Sequence, residues 1–430
     1  VVSRARLLLL FALVGLALWT DLVRYQDPIG EKHFALLEPG AADFSVIFDG
    51  TRVFMDGHNP YYFRDANSLD RWGRADVIGG RWFRVSYQPS HFLVYLPIAL
   101  LTTDNREAGR IIFAVSMALY LLIAVMVWRL TLRVTSPPDP AQRLLVLLLL
   151  PIFAVLLGTN IGTALSLARG QSDVINAALT WGALLLFLRG RRFWPMFMLI
   201  AAVSMKGYPV VLGIGLFLLG LRRGGWRAEL AGVLAGLVFW LAPVLPYLHD
   251  GFIAALSHAD GFFTGAWTNH SFRNLFFHVS PGLADPGRWT MGLLGLAVSA
   301  GCWRQTHLAM RCEDSRATAV WLLVFATSAL MTMVGMSTLS YIYNQILVLP
   351  GVLLLLCTGD VLWRECGFHA RARRWLFGVE CAMGVLILKY FLAPFGVPLA
   401  ALGNLILVLL LAAALTGRFL VSLRGERPAH

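Results

Sequence analysis

Charge is scarce in this chain. Of its 430 residues only 14% are Asp, Glu, Lys or Arg, while 58% are hydrophobic. A soluble domain carries about 25% charged residues. The deficit argues against a water-soluble enzyme, and apolar runs of near-span length recur along the sequence, as in a polytopic integral membrane protein. Cysteine is sparse as well. Cys302, Cys312, Cys357, Cys366 and Cys381 form no CxxC pair and keep no metal-type spacing with histidine, so reduced structural thiols are expected rather than a disulfide framework. Also missing are a serine-triad signature, a glycine-rich nucleotide loop and a metal cage, which leaves no indication of a soluble activated-nucleotide donor. Lysine is almost absent: Lys32, Lys206 and Lys389 are the only three.

The charge that is present is basic, with a formal net value of +12. It is not arranged for nucleic acid, since no module interleaves aromatic and basic residues. Arginine collects instead in short loops between apolar runs, the positive-inside pattern. Spans are read at about 5–22, 107–130, 143–159, 172–188, 193–205, 207–221, 228–248, 289–303, 318–338, 341–359, 375–392 and 397–417, about twelve in all. The N-terminal run has a basic start but no small-x-small cleavage site after it, so it is expected to be an uncleaved first span.

The segment 88–103 is apolar but short, with Pro89 and Pro97. If it does not cross, the basic loops Arg129–Arg143, 189–192, 222–227, Arg304–Arg316, Arg364–Arg374 and the tail after Arg418 all share one side; if it does, three of them change sides. The sequence therefore predicts a shallow or re-entrant element at 88–103, both termini cytoplasmic, and a multi-pass protein of the plasma (inner) membrane. The chain then reads as one integral membrane domain, 1–430, with a first extracytoplasmic loop at 25–106 carrying short amphipathic helices and a second at 249–288. One such helix is expected from Phe44 to Met55, ended by Gly57 and Asn59-Pro60. Every polar, motif-like segment falls on the extracytoplasmic face, which points to work at the outer leaflet.

Each motif has a plain structural reading beside a chemical one. Asp43 opens a helical stretch after Gly40, where it serves either as an N-cap or as a general base at the membrane surface. In "ARGQSD", Arg169, Gln171 and Asp173 stand at a span entrance, as a snorkelling cation and a helix cap or as a polar grip on a phosphate or sugar. Lys206 sits between two apolar runs and is followed by Gly207 and Pro209; an ionisable group at that depth is either paired with an internal carboxylate or reserved for an anion, and contact with a phosphate is the favoured reading. "TNHSFRNLFFH" mixes Asn269, His270 and Arg273 with three phenylalanines, as an interfacial amphipathic helix does. "STLSYIYNQILVLP" brings Tyr341, Asn344 and Gln345 to a span start, as belt residues or as amide and aromatic contacts to a sugar.

In order, "ADF" (42–44), "DGHNPYYF" (56–63), "YQP" (87–89), "RGQ" (169–171), "MKGYP" (205–209), "NHSFRN" (269–274) and "STLSYIYNQILVLP" (337–350) resemble the pattern of glycosyltransferase family 87, within the C superfamily (GT-C) of polyprenyl-phosphate-sugar-dependent enzymes. The resemblance implies an all-α, multi-pass GT-C-like fold with a large first outer loop. It also implies a polyprenyl-phosphate sugar donor, hexose (mannose) or pentose (arabinofuranose), and inverting transfer to a lipid or glycan acceptor with Asp43 as base. On this reading Lys206, Arg169 and Arg273 meet the donor phosphate, while Gln171, Tyr87, Tyr208, Asn269, His270, Tyr341, Asn344 and Gln345 contact substrate. The chain departs from the pattern at Tyr87-Gln88-Pro89, where members often have YPP, and at Tyr341-Ile342-Tyr343-Asn344, where a histidine is often found. No cofactor is required, and a divalent metal stays open. The rival from another class is a transporter or flippase of a lipid-linked sugar, which needs polar sites reachable from both faces; a non-catalytic membrane scaffold is a third reading.

Overall fold

The computed structural model describes residues 4–25, 42–61, 88–135, 147–158, 163, 166–167, 170–222, 226–251, 271–337, 342–388 and 399–423. Among these residues the chain is all helical, with no strand. The α-helices are α1 (Arg4–Tyr25), α2 (Ala42–Met55), α3 (Ser90–Leu101), α4 (Asn105–Thr135), α5 (Leu149–Gly158), α6 (Asp173–Leu188), α7 (Phe193–Met205), α8 (Val210–Leu221), α9 (Trp226–Gly236), α10 (Phe272–Val279), α11 (Ala284–Arg311), α12 (Ser315–Met336), α13 (Leu349–Glu365), α14 (Ala370–Leu388) and α15 (Leu399–Leu423).

Among the described residues four helices are long and apolar enough to cross a membrane: Asn105–Thr135, Trp226–Gly251, Ser315–Met336 and Ala401–Ser422. The expected span 228–248 is not a uniform helix. After Gly236 it passes through a π turn, Leu237–Leu241, and a 3-10 stretch, Ala242–Tyr247. Pro243 and Pro246 explain this, because each lacks the N–H that an α-helical ladder needs. Leu234, Val238, Phe239 and Leu245 point outward there, and Leu8, Phe11, Leu121, Leu122, Ile214 and Leu218 do the same on other helices. So much outward-facing hydrocarbon suits a lipid solvent and not water.

Turn chemistry sets the hairpins. Between α6 and α7, Gly190 adopts φ 77°, and the Gly190 N–H bonds the Phe187 carbonyl at 3.0 Å while that of Arg191 bonds Leu186 at 3.0 Å. This closes the helix end in the left-handed conformation that glycine reaches without steric cost. Between α11 and α12, the Asp314 carboxylate caps the next helix by accepting from the N–H groups of Arg316 (3.0 Å) and Ala317 (2.8 Å). The long α11–α12 pair is the most extensive helix contact, and α12 is almost wholly buried among α11, α13, α8 and α15. Lipid gives helices little hydrophobic reason to associate, so close backbone approach matters more there. Gly292 and Gly295 of α11 accordingly face Met336 and Thr332 of α12.

A charged cluster ties α1 to α13 and α14. Arg6, fully buried, meets Glu380 at 2.7 Å and Asp360 at 3.2 Å and donates to the Leu356 carbonyl at 2.6 Å. Trp363 Nε1 donates to Glu380 at 2.6 Å. Removing one partner of a buried pair strands the other charge, at about 3–5 kcal/mol. Arg6→Met is therefore expected to lower the apparent melting temperature of the detergent-solubilised protein by several degrees. An unchanged melting curve would mean that the cluster contributes nothing to stability.

Candidate active site

The polar side chains gather where α6 begins and α7 ends. These two helices form an antiparallel hairpin, so the positive dipole end of α6 lies beside the negative end of α7. Each terminus carries the side chain its dipole favours, a carboxylate at the first and an ammonium at the second. Asp173 occupies the first turn of α6 and is fully buried. Lys206 is the residue that ends α7, with its N–H bonded to the Ala202 carbonyl at 3.0 Å. Lys206 Nζ donates to both carboxylate oxygens of Asp173 at 2.8 Å.

A third segment completes the group. Asn344 lies in a 3-10 turn, Ile342–Leu347, just before α13. Its Oδ1 accepts from Lys206 Nζ at 3.3 Å, and its Nδ2 donates to Tyr208 Oη at 2.9 Å. Residues 138 apart in sequence are thus held on one ammonium. Gln345, next in the turn, accepts at 3.4 Å from Nδ2 of Asn404, a buried amide on α15. Lys206 keeps 14% of its side-chain surface exposed while Asp173 keeps 0%. The carboxylate is sealed, while the lysine side chain beside it stays slightly exposed.

The floor of the site is α3. Its 12 residues span about 18 Å, well short of a roughly 30 Å hydrocarbon core. Ser90 Oγ donates to the Ser204 carbonyl, His91 Nε2 lies 2.8 Å from Ser172 Oγ, and Tyr95 Oη donates to the Gly170 carbonyl at 2.6 Å. Burial, reinforced by the nearby Lys206 ammonium, pushes the imidazole of His91 down to about 3, so it is neutral. Gly170 adopts φ 61°, and a Cβ there would meet Phe44 Cβ at 3.0 Å and Ile112 at 3.3 Å. Only glycine suits both the backbone conformation and the close approach of α2.

Helix α2 packs on α3 and α4 through Phe44, Ile47 and Phe48, with Phe44 against Tyr95. Asp43 lies in its first turn, and its side chain falls outside the described residues. A turn at 56–61 follows α2: the Asn59 side chain accepts from the Tyr61 N–H at 3.0 Å and donates to Asp250 at 2.7 Å, tying this turn to the residues after α9. Phe92 stacks on Phe54 and meets the Tyr61 ring at a tilt.

The structure thus brings together Lys206, Tyr208 and Asn344, with Gln345 in the same turn and Gln171 buried two residues before Asp173. Arg273, on the short amphipathic helix α10, faces Asp285 at 3.0 Å. Tyr87, Arg169, Asn269, His270 and Tyr341 lie outside the described residues. For Lys206 the internal carboxylate exists, and it is Asp173. Sequence reasoning missed Asp173 as a partner, along with His91, Ser172 and Asn404. For Asp173 the signal was present, as an acid at a span entrance; for His91 it was the one imidazole in the apolar run 88–103.

These observations define a class: a helical, multi-pass membrane protein with a buried ion pair and an amide–phenol chain gathered at one end of its helices. The chain belongs to glycosyltransferase family 87, whose family model matches residues 85–334, and it is a membrane glycosyltransferase. No curated protein matches it. Among solved structures it is similar to the crystal structure of ArnT from Cupriavidus metallidurans bound to undecaprenyl phosphate, at 16% identity and a TM-score of 0.36, over 94% of this chain and 78% of that one. A likeness that slight carries no further argument.

Proposed function

We propose that the protein is an inverting, GT-C-type glycosyltransferase that moves a hexose, mannose in the first instance, from a polyprenyl-phosphate donor to a lipid or glycan acceptor at the extracytoplasmic face. The observation that carries this reading is the Lys206 ammonium, held by Asp173 and Asn344 on a side chain that is 14% exposed, within a family 87 chain. The donor's polyprenyl tail stays in the bilayer, so its phosphate lies at headgroup depth. Lys206, with Arg169 and Arg273, stabilises the negative charge that grows on that phosphate as the anomeric C–O bond breaks. Asp43 takes the proton of the acceptor hydroxyl, whose oxygen attacks the anomeric carbon in line from the opposite face. Tyr208, Asn344, Gln345 and Gln171 supply the amide and phenol contacts by which a sugar is oriented.

The test is transfer by purified protein in proteoliposomes, from radiolabelled polyprenyl-phosphate mannose and the corresponding pentose donor. Label is expected to reach a membrane or glycan acceptor from the mannosyl lipid. Label that only changes leaflet, with no new glycosidic bond, would replace this reading with that of a flippase.

A further inference from the structure

Three side chains of one helix grip the two segments that carry the ion pair. Ser90, His91 and Tyr95 of α3 bond to Ser204, Ser172 and Gly170. Ser204 lies two residues before Lys206, and Ser172 immediately precedes Asp173. Of the three, His91 is the one whose chemistry is fixed on both sides. Its Nδ1 lies 2.9 Å from the Gln88 carbonyl, which accepts only, so Nδ1 carries the proton. Nε2 is then a lone-pair acceptor, and the Ser172 hydroxyl must donate to it. Ser172 stands at the N-terminal boundary of α6, its side chain makes no capping bond to that helix, and Asp173 follows it directly. A histidine that is 1% exposed and neutral cannot serve the phosphate by charge. It acts through its neighbour.

We propose that His91 is a positioning residue: through Ser172 it fixes the first turn of α6, and so holds Asp173 where it orients the Lys206 ammonium. The proposal deepens the proposed function, since Lys206 is the donor-phosphate contact there. The geometry it describes is present whatever the donor. Helix α3 also packs against α2, which carries Asp43, so one short helix relates the base-bearing segment to the cation.

The experiment measures Lys206 directly. The full chain in proteoliposomes is treated with acetic anhydride, and the acetylation rates of Lys206, Lys32 and Lys389 are followed by peptide mass spectrometry. His91→Leu is expected to raise the Lys206 rate roughly tenfold relative to the other two lysines, the order of a lost hydrogen bond to a charged network. His91→Gln, whose amide oxygen accepts from Ser172, should stay within about twofold of the parent protein. Ser172→Ala should match His91→Leu, and the double variant should be no more reactive than either, as two halves of one contact behave. An unchanged Lys206 rate in His91→Leu, or an equal rise at all three lysines, would overturn the proposal. Sugar transfer is measured on the same samples, where His91→Leu should raise the donor KM more than it lowers kcat. If the labelling shifts as expected but the parent protein transfers no sugar from any polyprenyl phosphate, the proposed function fails and the positioning role stands. If sugar is transferred and the labelling does not shift, the positioning role fails alone.

Discussion

Lys206→Met is expected to lower sugar transfer by about 10²–10³-fold, the usual cost of removing one preorganised charge from a developing anion. Two effects combine in this variant and are separable. The first is electrostatic: methionine fills a similar volume, but nothing at that position then meets the leaving phosphate. The second is structural. Asp173 is fully buried, and its carboxylate would lose the donor that both its oxygens share. A buried pair broken from one side costs about 3–5 kcal/mol. The converse variant, Asp173→Asn, should be gentler on the fold, because the side chain of the lysine left behind is 14% exposed and can recruit water. It should still impair transfer, since the lysine is then free to turn away. Thermal unfolding and initial rates, measured together on both variants, check this. Lys206→Met is expected to be the less stable of the two. Equal stability and unimpaired transfer in both would show that the pair has no part in the reaction.

Asp43→Asn is the second large effect. The proposed role is proton removal from the acceptor hydroxyl, a contribution of about 10²–10⁴-fold. Asparagine is nearly isosteric, and inside the first turn it forgoes only the charge–dipole contribution of an aspartate, about 0.3–1 kcal/mol at an exposed site. At the first turn of α2 the substitution therefore leaves helix stability almost untouched and removes only the proton acceptor. The expected result is a folded protein, with an unaltered melting temperature and unaltered donor binding, whose transfer rate is close to background. Near-parental transfer by Asp43→Asn would return this residue to the role of a cap. A large fall in melting temperature would show that its side chain is held by structure the cap reading does not include.

How much of this was legible in the sequence follows from the range of each interaction. The helices Asp173–Leu188 and Phe193–Met205 lie where the apolar runs 172–188 and 193–205 placed them, because the "RGRR" turn and the "KGYP" break punctuate them locally. Helix α2 ends at Met55, beside Gly57 and Asn59-Pro60, for the same reason. The expected span 228–248 changes helix type midway, beside Pro243 and Pro246, a local signal that the reading of one continuous span passed over. The partner of Lys206 is another matter. Asp173 is 33 residues away and Asn344 is 138 away, and nothing in a one-dimensional pattern says which acid at a helix start meets which cation at a helix end. His91 was hidden in a different way: one imidazole in an apolar run has no spacing to read, and its meaning comes only from Ser172 lying beside it.

The proposed function places a lipid phosphate on the Lys206 ammonium. A cryo-electron microscopy structure of the protein with a non-hydrolysable polyprenyl-phosphate sugar analogue in lipid nanodiscs tests it most directly. The account predicts a phosphate oxygen within about 3 Å of Lys206 Nζ, the length of a charge-assisted hydrogen bond, with the tail running into the bilayer and the sugar towards α2. A phosphate bound elsewhere, with Lys206 still closed on Asp173 and Asn344, would contradict it.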